Sequence, residues 1–359
     1  MRGELPTTIA AAIERCARPS LVFDAERLAR NLAEVGEAAR AVGATALFAM
    51  KSFAHAEVYG LAARELAGFD VASPAEVAAA IAAGAKLISI ADPSGRASEA
   101  VGGFGGRVIV SCETVDQVRA APRRAEIAIR VSASITGRDP AIGAILDGSG
   151  HRRSRFGVDD EEAIAELARA AAGRPIGIHV HHGPVTATKG ERFVATARAA
   201  MELAERVGVT PRFVNLGGAW HGVPDLGDAL RAIRAAVPGE ILLEPGRRIA
   251  DGAGFACGRI MAARELADRV LCTADLSRIC HLRWSAVELV AAPAHNDRGR
   301  HTVIVGPTCF EDDTIGEWTV DPAHVAVGAR VIVRHVTGYA VGWNTGFGGV
   351  ASADVVLAQ

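Results

Sequence analysis

Up to about residue 250 the chain repeats one alternation. A short run of apolar, often β-branched residues is followed by a longer Ala-rich stretch dotted with Glu and Arg at helical spacing. About eight such runs can be read: TALFAM ending at Met50, FDVAS near Val71, KLISIA near Ile90, VIVSC near Val110, EIAIRVS near Val131, IGIHVH ending at His181, RFVNL ending at Leu216 and ILLE ending at Glu244. Strands separated by helical stretches predict βα units and a parallel sheet, and eight strands are the number that closes a (β/α) barrel. An open doubly wound sheet is the alternative, but no GxGxxG follows the first strand. Past about Gly252 the texture changes to ADRVLCTA, HTVIVGP, ARVIVRHV and DVVLA, separated by Gly, Pro and Asp-Asn turns, the pattern of a β domain. The expected fold class is α/β: a TIM-like (β/α)8 barrel over residues 21–252 and a C-terminal β-sandwich or barrel over 253–359, with segment 1–20 packing on the β domain.

A chain of 359 residues exceeds the usual size of one hydrophobic core, which agrees with two domains. Its 39 basic and 41 acidic residues are spread without long blocks and leave a formal charge of −2. No nucleic-acid footprint or membrane-surface patch follows from that distribution, and a small-molecule ligand is favoured. Six cysteines, Cys16, Cys112, Cys257, Cys272, Cys280 and Cys309, contain no CxxC pair, which argues against a disulfide framework and a zinc site and fits a reducing cytoplasm. The N-terminal stretch lacks the apolar core of a signal peptide, and no apolar run approaches the roughly 20 residues needed to span a bilayer. A soluble cytoplasmic protein is expected.

In βα barrels the active site lies at the C-terminal ends of the strands, so the polar residue after each apolar run is informative by position. These ends read Lys51, Asp70 with Ser73, Asp92, Cys112 with Glu113, Ser132, His181, Gly217 with Gly218, and Glu244. A lysine directly after ALFAM would be partly desolvated and easier to deprotonate into a nucleophile; an ordinary surface lysine is the other reading. Glu244 in LLEPGRR is an acid able to hold a pyridine nitrogen protonated, with Arg247 and backbone donors for a phosphate, or a strand-end acid paired with a neighbouring arginine. NLGGAW exposes backbone amides at a strand-to-helix junction, a plausible anion cradle. In HVHHG, His179 and His181 share a strand face, the arrangement of an HxH metal pair, of an imidazole stacked on an aromatic cofactor, or of a satisfied core histidine. GPTCFEDD sets Cys309 beside Glu311, Asp312 and Asp313, either a proton donor with a substrate-reading acidic cluster or a solvated acidic loop.

Taken together and in this order, these segments resemble the fold-type III pyridoxal-phosphate decarboxylases, the family of the ornithine, diaminopimelate and carboxynorspermidine decarboxylases, over nearly the whole chain. FAMKSF resembles the Schiff-base lysine segment, GFDVASPAE the next strand and helix, and SRFG at Ser154 to Gly157 the motif after the fifth strand. HVHHG resembles the segment whose histidine stacks on the cofactor, which the likeness carries onto His181. NLGG and EPGR resemble the phosphate-binding glycines and the glutamate that pairs with the ring nitrogen, carried onto Gly217, Gly218, Glu244, Gly246 and Arg247. GPTC resembles the segment whose cysteine crosses a dimer interface, carried onto Cys309, and TGYA offers Tyr339 as a phosphate ligand. The pattern departs from the family at Pro184, where serine is frequent, at Ala219, where a third glycine is common, and at Phe310, where Asp or Glu usually reads the distal group of the substrate.

The resemblance implies decarboxylation of an amino acid with bound pyridoxal 5'-phosphate. It implies catalytic roles for Lys51, Cys309, His181 and Glu244 and cofactor contacts from Asp70, Gly217, Gly218, Gly246, Arg247 and Tyr339. Phe310, Glu311 and Asp313 are the expected substrate contacts, in a homodimer with shared active sites and no resident metal. Phe310 points away from plain ornithine, lysine or diaminopimelate and towards a bulky, apolar or conjugated side chain. The rivals are a pyridoxal-phosphate racemase or epimerase on the same fold, a metal-dependent barrel hydrolase using His179 and His181, and a non-catalytic relative that regulates a decarboxylase by dimer exchange.

Overall fold

A computed structural model describes residues 5–133, 155–171, 173–181, 190–290 and 299–359; Ser154, His182 and Pro184 lie outside them. By its contacts the chain divides into two units, one of Leu32–Lys51 and His55–Arg248, the other of Met1–Asn31, Ser52–Ala54 and Ile249–Gln359. An early strand, β1 (Ser20–Asp24), belongs to the second unit.

The first unit is a closed barrel of parallel strands in sequence order. They are β2 (Ala44–Ala49), β3 (Gly68–Val71), β4 (Leu87–Ile90), β5 (Arg107–Cys112), β6 (Glu126–Val131), β7 (Ile176–Val180), β8 (Phe213–Asn215) and β9 (Glu240–Leu243). Each coincides with one of the apolar runs read from the sequence. The connecting helices begin where short polar side chains satisfy first-turn amides: Ser73 accepts from the Glu76 N–H ahead of Pro74, and Thr114 and Gln117 form a reciprocal capping box.

Side chains alternate in and out along each strand, and the inward positions stack in three layers. Leu47, Leu87, Ile109, Ala128, Phe213 and Leu242, from six different strands, meet in one buried cluster, which only the barrel interior can bring about. Gly177 is required in this layer because a Cβ there would lie 2.2 Å from the Phe213 ring. Two residues earlier on their strands stand Thr45, Arg107, Glu126 and Glu240. Arg107 donates to Glu126 at 2.7 and 2.9 Å and to Glu240 at 2.7 and 2.8 Å, and Thr45 donates to Glu240 at 2.6 Å. Two residues later stand Asp70, Ser89, Ser111, Arg130, His179, Asn215 and Glu244, a polar layer at the C-terminal end of the strands.

The second unit is a mixed sheet. Strand β10 (Gly254–Glu265) is long enough to pair with β1 and β15 (Arg330–Arg334) along its first half and with β11 (Val270–Ala274) along its second. The sheet runs β12 (Glu288–Leu289), β15, β10, β11, β13 (Arg300–Val305), β14 (Thr314–Val320), with β16 (Asp354–Ala358) parallel to β1. Ile9, Ala12 and Ile13 of helix Thr7–Arg15 join Val22, Phe255, Cys257 and Ala358 in its core. The expected boundary between residues 20 and 21 is corrected: Leu21, Val22 and Phe23 form a ladder with Ala256, Phe255 and Gly254. An isolated short apolar run carries no mark of which sheet it joins. Among the described residues, no helix is long and apolar enough to cross a membrane, and all six cysteines are free thiols.

Candidate active site

The polar upper layer of the barrel gathers most of the sequence-predicted residues. Lys51 follows β2 in a short 3-10 turn, and its Nζ donates to Asp70 Oδ2 at 2.8 Å. The lysine side chain is 42% exposed, while that of Asp70 is fully buried. Burial first, and the nearby Glu244 carboxylate second, raise the Asp70 carboxyl towards about 7 against the lowering effect of Lys51. The other oxygen of Asp70, Oδ1, has no hydrogen-bond partner.

Glu244 follows β9 and is buried. Its Oε1 accepts from Asn215 Nδ2 at 2.7 Å, and its backbone N–H donates to the Gly217 carbonyl at 2.8 Å. Asn215 also accepts the Gly217 N–H at 2.9 Å, so one buried amide positions both the acid and the glycine turn. Gly217 has φ +63°, and a Cβ there would sit 2.5 Å from His181 Nδ1. Glycine is needed for both reasons. The turn then aims the Gly218 N–H at His181 Nδ1, 3.0 Å away, so that nitrogen accepts. Ala219 keeps the left-handed conformation, φ 69°, despite its side chain. Beneath the turn, Trp220 donates to the Gly217 carbonyl at 2.7 Å and stacks on Phe193 at 3.8 Å. Gly246 is buried and Arg247 half-buried at the start of the 3-10 turn Arg247–Ala250.

Four contributors were not singled out from the sequence: Asn215, Ser111, Ser89 and Arg130. Each lies two residues beyond a residue of the apolar cluster, which is the signal that would have found them. Ser111 Oγ lies 2.7 Å from His179 Nδ1, and Arg130 pairs with Glu113 at 3.6 Å and sits over the Phe156 ring. Other strand-end residues have local duties. Asp92 accepts from the Ser94 and Ala97 amides of its own turn, and burial pushes the Cys112 thiol up to about 12.

In the second unit, Cys309 and Glu311 are exposed and Phe310 is 51% exposed, with its ring edge-on to Phe347 at 6.1 Å. Asp313 corrects the expected acidic cluster. It is 2% exposed, one oxygen accepts from Ser277 Oγ and the Arg278 amide, and the other from Thr308 Oγ1 and its amide. It braces the loop that carries Cys309 and has no face left for a substrate. Tyr339 opens the short helix Tyr339–Gly342 with its ring edge-on to Trp284.

The upper layer of the barrel is built for a polar, partly anionic guest. Asp70 Oδ1, Ser89 Oγ and His179 Nε2 are buried without partners, which costs on the order of 1–3 kcal/mol per group unless a ligand supplies the bond. With an amine at Lys51, an acid at Glu244 and a glycine turn without side chains that lets a bound group approach the backbone, the residues fit pyridoxal phosphate. His179, His181 and Glu244 also converge closely enough to hold a metal ion, so geometry alone keeps both chemistries open.

Comparison with known proteins separates them. The family model described as "Pyridoxal-dependent decarboxylase, pyridoxal binding domain" matches residues 27–251. A diaminopimelate decarboxylase of Pseudomonas aeruginosa is 27% identical over 344 residues, 85% of this chain and 79% of that protein. The crystal structure of a diaminopimelate decarboxylase from M. jannaschii superimposes with a TM-score of 0.81 at 18% identity, covering 97% of this chain and 89% of that one. An arginine decarboxylase from Paramecium bursaria Chlorella virus, bound to agmatine, gives 0.79 at 16% identity, covering 99% and 100%.

Proposed function

The chain belongs to the pyridoxal-dependent decarboxylases, and on that premise we propose that it removes the α-carboxylate of an amino acid with a bulky, apolar or conjugated distal group, using Lys51 to hold the cofactor and Cys309 of the partner subunit to protonate the product carbon. When bound, pyridoxal phosphate supplies the electron sink for the carbanion left by loss of carbon dioxide. Everything else is done by groups of this protein.

The observation that carries the proposal is the buried Glu244 beside an unsatisfied polar layer. A carboxylate there, oriented by Asn215, favours a proton on the ring nitrogen and deepens the sink, which suits decarboxylation better than racemisation. Lys51, ion-paired to Asp70 at 2.8 Å, stands ready at the end of β2. His181, its Nδ1 occupied by the Gly218 amide, presents a fixed ring to support the cofactor face. Gly217, Gly218, Gly246, Arg247 and Tyr339 are the proposed phosphate contacts, Gly217 and Gly218 through close approach of their backbone, since their amides are given to Asn215 and His181. Cys309 is exposed on a loop braced by Asp313, as a residue serving a second copy of the chain would be, and the active form is a homodimer in the cytoplasm. The distal-group assignment rests on Phe310 and its edge-on partner Phe347, with no substrate role for Asp313.

The test is a panel of amino acids offered to the loaded enzyme, with carbon dioxide and amine measured together. An amine from an apolar or aromatic amino acid supports the proposal. Preferred turnover of diaminopimelate, ornithine or lysine overturns the distal-group assignment, and a product that keeps its carboxylate overturns decarboxylation in favour of the racemase. Mixing inactive Lys51→Ala and Cys309→Ala chains restores part of the activity through hybrid dimers if the site is shared; no recovery refutes sharing.

A further inference from the structure

The reaction above leaves His179 without a task, yet both of its ring nitrogens face buried polar groups. Its side chain is 1% exposed on β7, two residues before His181. Nδ1 lies 2.7 Å from Ser111 Oγ on β5, while Nε2 has no hydrogen-bond partner and faces Glu244 Oε1 across 3.7 Å. The Glu244 carboxylate after β9 faces this ring, and Arg130 on β6 and Lys51 after β2 are the cations near it; burial first, then these two cations, hold the imidazole well below its ordinary range. The ring is therefore neutral and carries one proton, which must sit on one of two nitrogens.

The two placements are not equivalent. With the proton on Nδ1, His179 donates to Ser111 and turns the bare lone pair of Nε2 towards a buried carboxylate, a repulsive arrangement where the dielectric is low. With the proton on Nε2, the Ser111 hydroxyl donates to Nδ1 and the Nε2–H dipole points at Glu244. The second gives Nδ1 its hydrogen bond and replaces the repulsion at Nε2 by an attractive N–H dipole 3.7 Å from the carboxylate, longer than a hydrogen bond. Glu244 Oε1 then has one hydrogen bond, from the Asn215 amide at 2.7 Å, and one longer dipole contact, from the His179 N–H at 3.7 Å, and both come from neutral groups. Dipoles orient an anion without cancelling its charge, whereas a lysine or arginine in the same place would cancel it.

We propose that His179 is a positioning residue whose tautomer, fixed by Ser111, holds Glu244 as an oriented carboxylate with its charge left available for a protonated ring nitrogen. This rests on the cofactor reading above for its purpose, but not for its geometry. The first arm of the test therefore uses the cofactor-free protein. Nitrogen-15 NMR of labelled histidine, assigned by comparison with His179→Gln, is expected to show a neutral ring protonated at Nε2 that does not titrate between roughly pH 5 and 8. Ser111→Ala is expected to mix the two tautomers. A ring protonated at Nδ1, or one that titrates in that range, overturns the proposal whatever the cofactor does.

The second arm uses the loaded enzyme. His179→Leu, which removes the donor, is expected to weaken pyridoxal-phosphate affinity by about tenfold, to lower kcat with KM little changed and to shift the pH at which the visible spectrum of the bound cofactor changes. His179→Gln, which keeps a donor, is expected to retain most of the native spectrum. Equal spectra and affinities in Leu, Gln and native proteins would refute the positioning role. A protein with the expected tautomer that binds no pyridoxal phosphate would refute the cofactor reading instead.

Discussion

The two ends of the barrel use the same kinds of residue to opposite effect. At the N-terminal end of the strands, Arg107 bridges Glu126 and Glu240, and Thr45 donates to Glu240 as well. At the C-terminal end, Lys51, Asp70, Arg130, His179 and Glu244 are just as polar, yet Asp70 Oδ1, Ser89 Oγ and His179 Nε2 lack partners. One apolar layer separates them. A charge network that is closed on itself stabilises the fold and does nothing further; one that is left open is held in place by the rest of the fold and awaits a ligand. Chemistry belongs to the open end.

The contrast can be broken by substitution at either end. The largest effect is expected from Lys51→Ala, which should lower turnover by about a thousandfold or more while circular dichroism shows a folded protein; residual turnover near the native rate would remove Lys51 from the mechanism. At the closed end, Arg107→Met leaves two carboxylates facing each other and should cost about 2–4 kcal/mol in urea unfolding, since the group is only partly buried. Turnover per folded molecule should stay unchanged, and a parallel loss of kcat would erase the distinction between the ends. Gly217→Ala places a methyl group against His181 Nδ1 at a left-handed position. It is expected to cost about 1–3 kcal/mol and to weaken cofactor binding measured by fluorescence titration, whereas a neutral outcome would show that the turn is not rigid.

The smallest effect is a pH dependence at Asp70. Its carboxyl is raised in the folded protein, so between the ordinary carboxylate range and about 7 the folded state binds the proton more tightly than the unfolded chain. This contribution is full below the ordinary range and is lost as the pH rises through about 7. Asp70→Asn in the cofactor-free protein should therefore raise the thermal midpoint at pH 8 relative to native more than it does at pH 5. An equal shift at both pH values would mean that Lys51 offsets the burial of Asp70 completely.

The barrel was legible because apolar runs and helical stretches alternate with little interruption, and each of the eight strands lies where its run does. Strands β1, β10 and β14 were harder to see. SLVFD is five residues long and GFACGRIMAARE mixes buried and exposed positions at irregular intervals, so neither shows a clean period. At the site, residues after the strands were found because they interrupt apolar runs. Asn215, Ser111 and Arg130 were not, because they sit inside those runs and declare themselves only through the inward register set by Phe213, Ile109 and Ala128. Asp313 was misread because three acids in a row look like an exposed cluster, and nothing local shows that Ser277, Arg278 and Thr308 converge on one of them.

The measurement that tests the open end most directly is uptake of pyridoxal phosphate by the purified protein, followed by borohydride reduction and mass spectrometry of the labelled peptide. The account predicts a yellow protein whose colour is lost on reduction, with a pyridoxyl group fixed to the peptide that contains Lys51. A colourless protein that takes up no pyridoxal phosphate, or a label on a lysine other than Lys51, would contradict it and return His179, His181 and Glu244 to consideration as a metal site.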